Sequence, residues 1–187
     1  MVLDILDGRN NMPIRFDLSK YSDTPVFLES GSLTGNTCKL ALNAGFKKCY
    51  TIEIHPKYHR KTLNNLQQEI NDGTVVLIKG DSKAVLKLLI PTIKENMTIF
   101  LDAHWHRNRT DMDTSPLLKE LDALMDCPEY IKRILVDDRR LLGKRSWGRD
   151  ISEDVVMEKL KLINPNFVFS YELGEQEDDV IVAEVPK

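Results

Sequence analysis

Two short apolar runs in this 187-residue chain end in clustered acids: Ile99-Phe-Leu-Asp-Ala-His-Trp-His106 and Ile134-Leu-Val-Asp-Asp-Arg139. If both runs are strands of one sheet, Asp102, Asp137 and Asp138 meet at its edge with the imidazole of His104 between them. Acids crowded in this way repel one another unless a proton or a cation compensates. A hard divalent ion with oxygen ligands is the natural compensation. Mg2+ suits a site of few carboxylates completed by water and substrate oxygens. Aspartates at strand ends also cap helices and turns, so the chemical reading rests on their joint placement.

A second constellation lies upstream. Val26-Phe-Leu-Glu-Ser-Gly-Ser-Leu-Thr-Gly35 is an apolar run that stops at Glu29, passes through a glycine-punctuated turn and opens a helical pattern at Gly35. The next apolar run, Tyr50-Thr-Ile-Glu53, ends in another acid. Glycines let backbone approach a ligand closely, and a helix start offers unpaired N–H groups. A carboxylate at Glu53 can accept two hydrogen bonds side by side, which suits a ribose diol. The pattern opens a nucleotide-cofactor fold. Lys79-Gly-Asp-Ser82 follows the third apolar run, and Asp81 or Ser82 there offers an acceptor for an adenine amine. No Gly-Lys-Ser/Thr occurs, which argues against a Walker phosphate loop. Adenosylmethionine and NAD both fit these residues.

The elements that must position these groups alternate. Candidate strands are Val26–Glu29, Cys49–Ile54, Thr74–Lys79, Thr98–Asp102, Arg133–Asp137, Phe167–Glu172 and Asp179–Glu184. Candidate helices are Gly35–Ala44, Pro56–Asn71, Lys83–Leu89, Ser115–Met125 and Glu153–Ile163. Pro56 suits a first helical turn, and Asn71-Asp-Gly73 is a helix stop. Thr114 or Ser115 can cap the fourth helix, whose apolar face is Leu117, Leu118, Leu121 and Leu124 and to which no chemistry is assigned. Such alternation implies an α/β domain, a parallel sheet with helices on both faces. Leu173-Gly-Glu-Gln-Glu-Asp178 is too short for a crossover helix, so the last two strands form an antiparallel hairpin. Residues 1–24 read as a lead-in segment and residues 25–187 as a single domain.

From Val26 onward the chain resembles a class I S-adenosylmethionine-dependent methyltransferase, a family whose sheet finishes with an inserted antiparallel strand. The resemblance implies a Rossmann-like seven-stranded sheet of order 3-2-1-4-5-7-6. It implies cofactor contacts at Glu29, Gly31, Gly35, Glu53, Asp81 and Ser82. The first loop reads Glu-x-Gly-x-x-x-Gly, with Leu33 where a middle glycine often stands. The two acidic strand ends resemble the metal-dependent sugar O-methyltransferases of the macrocin O-methyltransferase type. That likeness implies metal binding by Asp102, Asp137 and Asp138, and a general base at His104, where the family often has aspartate. Neutral imidazole, with a reference pKa of about 6.5, can accept a hydroxyl proton near neutral pH. The implied activity is methyl transfer to a hydroxyl of a sugar or glycan. A catechol-like molecule or a nucleic acid is the alternative acceptor, and a non-catalytic cofactor-binding module is the alternative class.

Charged residues make up 29% and the hydrophobic set 42%, with a net charge of −3. That balance gives no global drive toward nucleic acid or anionic membrane. No apolar run approaches the roughly 20 residues of a membrane span, and no secretory signal is evident. Cys38, Cys49 and Cys127, an odd set without a CxxC pair, read as reduced thiols of a cytoplasmic protein. Basic stretches flank the acids: Arg107 and Arg109, then Arg139-Arg140, Lys144-Arg145 and Arg149. They can form a mouth for an anionic acceptor, with Trp105 and Trp147 available to stack. His106 could support the metal, meet substrate or face solvent. The short lead-in gives the pocket little cover, so a second copy of the chain or a moving loop would complete it.

Overall fold

The computed structural model describes residues 14–104, 115–144 and 151–186. The expectations for Trp105, His106, Arg107, Arg109, Thr114, Arg145, Trp147 and Arg149 lie outside the described residues, as do residues 1–13 of the lead-in.

Seven strands form one sheet: β1 Val26–Ser30, β2 Lys48–Glu53, β3 Val75–Lys79, β4 Met97–Leu101, β5 Ile131–Val136, β6 Val168–Glu172 and β7 Val180–Glu184. Their order is β3-β2-β1-β4-β5-β7-β6, and only the β5–β7 and β6–β7 pairings are antiparallel. This is the sheet expected from the sequence. Every residue of β1 and β4 is buried, as a continuous apolar run covered on both faces requires.

The helices are α1 Asn36–Ala44, α2 Pro56–Asn65, α3 Gln67–Asn71, α4 Ser82–Leu89, α5 Leu117–Leu124 and α6 Glu153–Ile163. Helices α4, α5 and α6 cover the face that holds Val26, Leu28, Ile99 and Ile134. The opposite face, with Phe27, Phe100 and Leu135, is covered by α1 and α3 and by residues from the lead-in. Local chemistry sets several ends. Pro56 opens α2 behind His55, whose ring accepts the Lys57 amide at 3.2 Å. Ser152 caps α6 through the Val155 amide at 3.3 Å. Gly45 ends α1 in the left-handed region, at φ +113°.

One expectation changes. The single helix over Pro56–Asn71 is broken at Leu66, whose backbone leaves the helical region at φ −116°, ψ 23°. Leu66 is fully buried in the α1 face, and this packing outweighs helical continuity. To the expected lead-in the structure adds that its residues 14–24 pack against the sheet. Ile14, Leu18 and Tyr21 are each no more than 5% exposed. Arg133 of β5, itself buried, binds the Tyr21 carbonyl at 3.2 Å and Asp23 at 3.0 Å. Its Nε donates to Glu184 at 2.9 Å. A buried guanidinium needs such partners, and here they anchor the lead-in to the sheet.

Candidate active site

The carboxyl ends of β1 to β4 open onto a cavity of about 440 Å3. Gly31, Glu53, Asp81, Ser82, Asp102 and His104 all line it, so most of the sequence-assigned residues converge on one space. Gly31 carries φ +88°, and a Cβ there would lie 2.8 Å from the Asp102 carbonyl oxygen and 3.2 Å from the Ala103 Cα. The loop after β1 therefore rests directly on the end of β4. Bare backbone at Gly31 is what lets the cofactor side and the acidic side share a wall.

Glu53 organises that loop. One carboxylate oxygen accepts the Leu33 amide at 2.9 Å and the other accepts the His55 amide at 2.7 Å. Leu33 stands at φ +48°, a left-handed conformation that glycine adopts without strain and leucine does not. The missing middle glycine is thus replaced by a leucine held in a glycine-like conformation, with the Glu53 carboxylate fixing its N–H. Each oxygen of Glu53 retains a second lone pair for a ligand hydroxyl.

Glu29 and Gly35 are not among the cavity-lining residues. Gly35, at φ +80°, starts α1, and a Cβ there would sit 2.7 Å from Leu66 Cδ1. Glu29 is buried under α1, where one oxygen accepts the Thr51 hydroxyl at 2.6 Å and the Cys38 thiol at 3.2 Å. Its other oxygen has no hydrogen-bond partner among the described residues. Burial pushes the Glu29 carboxyl up to about 7, against the pull of the Thr51 and Cys38 donors. Between about 4.5 and 7 the folded chain therefore holds a proton that the unfolded chain releases, and stability falls as pH rises through that window. Glu29→Gln is expected to gain up to about 3 kcal/mol over the unsubstituted chain at pH 8, with little difference at pH 4. Urea unfolding at the two pH values measures this, and a pH-independent difference would remove the assignment.

At the chemical end, His104 Nδ1 lies 3.4 Å from Asp102 Oδ1 and 3.4 Å from Asp138 Oδ2. Ligand atoms of Asp102, His104 and Asp138 all lie within 4.8 Å of one another, and so do those of Asp137, Asp138 and Asp179. The expected trio Asp102, Asp137 and Asp138 is thus distributed over two clusters that share Asp138. Burial, followed by repulsion from Asp138, Glu29 and Glu120, holds the Asp102 carboxyl well above the usual carboxylate range. Asp137 is pushed up to about 8 by burial and by the charges of Asp102 and Asp138. Acids this crowded and this reluctant to ionise form a donor set that fits a divalent cation.

Arg139 and Arg140 do not point outward as an anion-binding mouth. Arg139 donates to Glu153 at 2.8 Å and lies 4.4 Å over the Tyr171 ring. Arg140 binds Asp138, Asp179 and Glu175. The acids nearby are the stronger attraction; Asp138 is two residues from Arg140, but Glu153, Glu175 and Asp179 lie on later elements that spacing does not place beside these arginines.

Four residues of this region were not singled out from the sequence. Tyr58 lines the cavity from the first turn of α2, a position that the Pro56 helix start right after Glu53 could have signalled. Asp179 closes the second acidic cluster from the β6–β7 turn. Lys83 lines the cavity beside Asp81, 3.4 Å away. Glu120, on the helix given no chemistry, is 1% exposed, and its oxygens have no hydrogen-bond partner among the described residues. Burial lifts it to about 7.

This sheet order, with the last strand antiparallel, is the Rossmann-like fold of methyltransferases. The S-adenosylhomocysteine-bound methyltransferase PaMTH1 from Podospora anserina matches with a TM-score of 0.62 and 17% identity, over 91% of this chain and 75% of that one. An O-methyltransferase from Bacillus cereus in complex with S-adenosylhomocysteine matches at 0.62 and 15% identity, over 91% and 77%. The O-methyltransferase TomG from Streptomyces achromogenes, in complex with S-adenosylmethionine, matches at 0.58 and 13%, over 91% and 77%. No protein-family model matches the sequence, and no curated protein does. At these identities the likeness is one of fold.

Proposed function

We propose that this chain is an S-adenosylmethionine-dependent O-methyltransferase, assisted by a divalent metal, that acts on a hydroxyl of a sugar or glycan. The observation that carries this reading is a single cavity joining Glu53 and Asp81 to Asp102 and His104. Its volume suits a ligand of nucleoside size. Glu53 would hold the ribose, Asp81 and Ser82 the adenine amine, and the backbone at Gly31 would let the methionine portion lie close. S-adenosylmethionine supplies an activated methyl group on a sulfonium. With that group bound, His104 would take the proton of the acceptor hydroxyl as its oxygen gains the methyl group and the sulfur leaves with the electron pair of its bond to that carbon.

Asp102 and Asp138 would hold the metal, with Asp137 next to them. The ion would supply orientation of adjacent acceptor oxygens and a lower barrier to deprotonation. His104 turns its Nδ1 edge to the two carboxylates, which stabilise the imidazolium formed when the opposite nitrogen takes the proton. His104→Ala is expected to lower methyl transfer by about 100-fold or more while leaving Mn2+ affinity within about threefold. Equal loss of both would make His104 a metal ligand instead of a base.

One observation favours a second reading, a catechol-like acceptor. The guanidiniums of Arg139 and Arg140 are engaged with the protein's own acids, so neither is offered to an anionic acceptor. A catechol also presents two adjacent oxygens to a metal. Recognition of an anionic sugar would then fall to Arg107, Arg109, Arg145 and Arg149. Cys38, Cys49 and Cys127 are all free thiols, which supports a reducing, cytoplasmic setting. No helix among the described residues is long and apolar enough to cross a membrane.

The first experiment is calorimetric titration of metal-free protein with S-adenosylhomocysteine, repeated with Mg2+ present. Micromolar binding supports the cofactor reading and directs the work to screening glycan, nucleotide-sugar and catechol acceptors. Absence of binding by folded protein favours the non-catalytic module.

A further inference from the structure

The second acidic cluster already contains a cation. Arg140 Nη1 bonds both Asp138 Oδ1 and Asp179 Oδ2, and Nη2 bonds Glu175 Oε2. The Arg140 amide adds a bond to Asp179 Oδ1 at 2.9 Å. Asp179 is fully buried and also accepts the Glu175 amide at 3.0 Å. The turn after β5 and the β6–β7 hairpin are thereby locked together through one guanidinium. Without it, the Asp137, Asp138 and Asp179 oxygens, all within 4.8 Å, would be close enough to share a metal ion.

The arrangement also divides Asp138. Its Oδ1 is taken by Arg140, and its Oδ2 faces His104 and the Asp102 side. Asp138 itself stands in the left-handed region at φ +60°, which aspartate tolerates and which sets the direction of its side chain.

We propose that Arg140 is a built-in counter-ion that, bound to Asp138 and Asp179, occupies the Asp137–Asp138–Asp179 cluster, bars a divalent ion from it, and leaves Asp138 one oxygen for an ion shared with Asp102. The site is then mononuclear by construction, although four carboxylates surround it. Guanidinium suits this role because its planar fork reaches three carboxylates at once and it stays charged at any working pH. The inference rests on the metal reading proposed above, which it sharpens to a single ion.

Mn2+ bound per chain, counted by electron paramagnetic resonance of the free ion, tests it on the 187-residue chain, with circular dichroism as the check on folding. The unsubstituted chain is expected to bind one ion, Arg140→Gln two, and the double variant Arg140→Gln/Asp179→Asn one again. Arg140→Lys, which keeps the charge, is expected to stay at one. Two ions on the unsubstituted chain overturn the proposal without any variant, so it stays testable if Arg140→Gln does not fold. One ion on both the unsubstituted chain and folded Arg140→Gln overturns it and leaves the metal reading intact. No ion on either sinks both. Binding by Arg140→Gln alone overturns the proposal, because the unsubstituted chain then lacks the single-ion site.

Discussion

Glu53→Ala is expected, under the proposed function, to weaken S-adenosylhomocysteine binding by at least about 100-fold, the largest effect of any single change around Glu53, Asp81 and Ser82. Two hydrogen bonds from ribose hydroxyls to a carboxylate are each worth roughly 1.5–3 kcal/mol, which sets that scale. A second loss adds to it. Glu53 also fixes the amides of Leu33 and His55, so its removal frees a leucine held at φ +48° to leave its strained conformation. The wall of the cavity would then rearrange as well as lose an acceptor. Glu53→Gln separates the two contributions. It keeps one oxygen for an amide or a hydroxyl and turns the other position into a donor, so an intermediate loss is expected. Calorimetry with S-adenosylhomocysteine measures both variants. An unchanged affinity for folded Glu53→Ala would place the ribose elsewhere.

Asp102→Asn is expected to divide stability from activity. Under the proposed function, divalent-dependent methyl transfer should fall by about 1000-fold, as removal of a charged group acting on the developing charge commonly does. S-adenosylhomocysteine affinity should stay within about threefold. In metal-free protein the sign reverses. Asp102 is held well above its ordinary carboxylate range by burial and by repulsion from Asp138, Glu29 and Glu120. The folded state therefore carries a penalty for ionising Asp102, absent at low pH and growing as pH rises above its unfolded value. An uncharged amide removes that penalty, so metal-free Asp102→Asn should melt above the unsubstituted chain at pH 8 and near it at pH 4. Excess Mg2+ should narrow the gap by stabilising the unsubstituted chain alone. Lower melting at pH 8 would mean that Asp102 is a structural acid held by partners. Together these signs describe a site that lowers the stability of the empty protein in return for affinity toward a cation.

How far the sequence reached depended on the range of the forces involved. The fold was readable because each strand and helix announced itself within a few residues: buried runs such as Met97–Leu101, the Pro56 helix start, the Asn71-Asp-Gly73 stop and a connection too short to cross over. Register on a two-faced sheet then leaves little freedom. Acids at strand ends converge wherever parallel strands lie side by side, so Glu53, Asp81, Asp102 and His104 could be assigned to one end of the sheet before any coordinates. The same reasoning misplaced what depends on side-chain competition. Periodicity predicts a helix straight through Leu66, because it does not register a leucine drawn inward by a neighbouring face. For Arg139 and Arg140 the sequence leaves a substrate mouth open, and only the structure sets Glu153, Glu175 and Asp179 beside them.

By itself, then, the sequence determined the alternation of strands and helices, the terminal hairpin and the residue types at the strand ends, which follow from local periodicity and turn chemistry, while the order of the sheet was implied by the resemblance to class I methyltransferases. Tertiary structure alone decided that Glu53 holds a leucine in a glycine's conformation, that Glu120 and Glu29 are buried acids, and that Arg140 binds both Asp138 and Asp179 while Asp102 and Asp138 flank His104. The physical reason is that charge and burial act across space between residues far apart in the chain, and no spacing along the sequence records that distance.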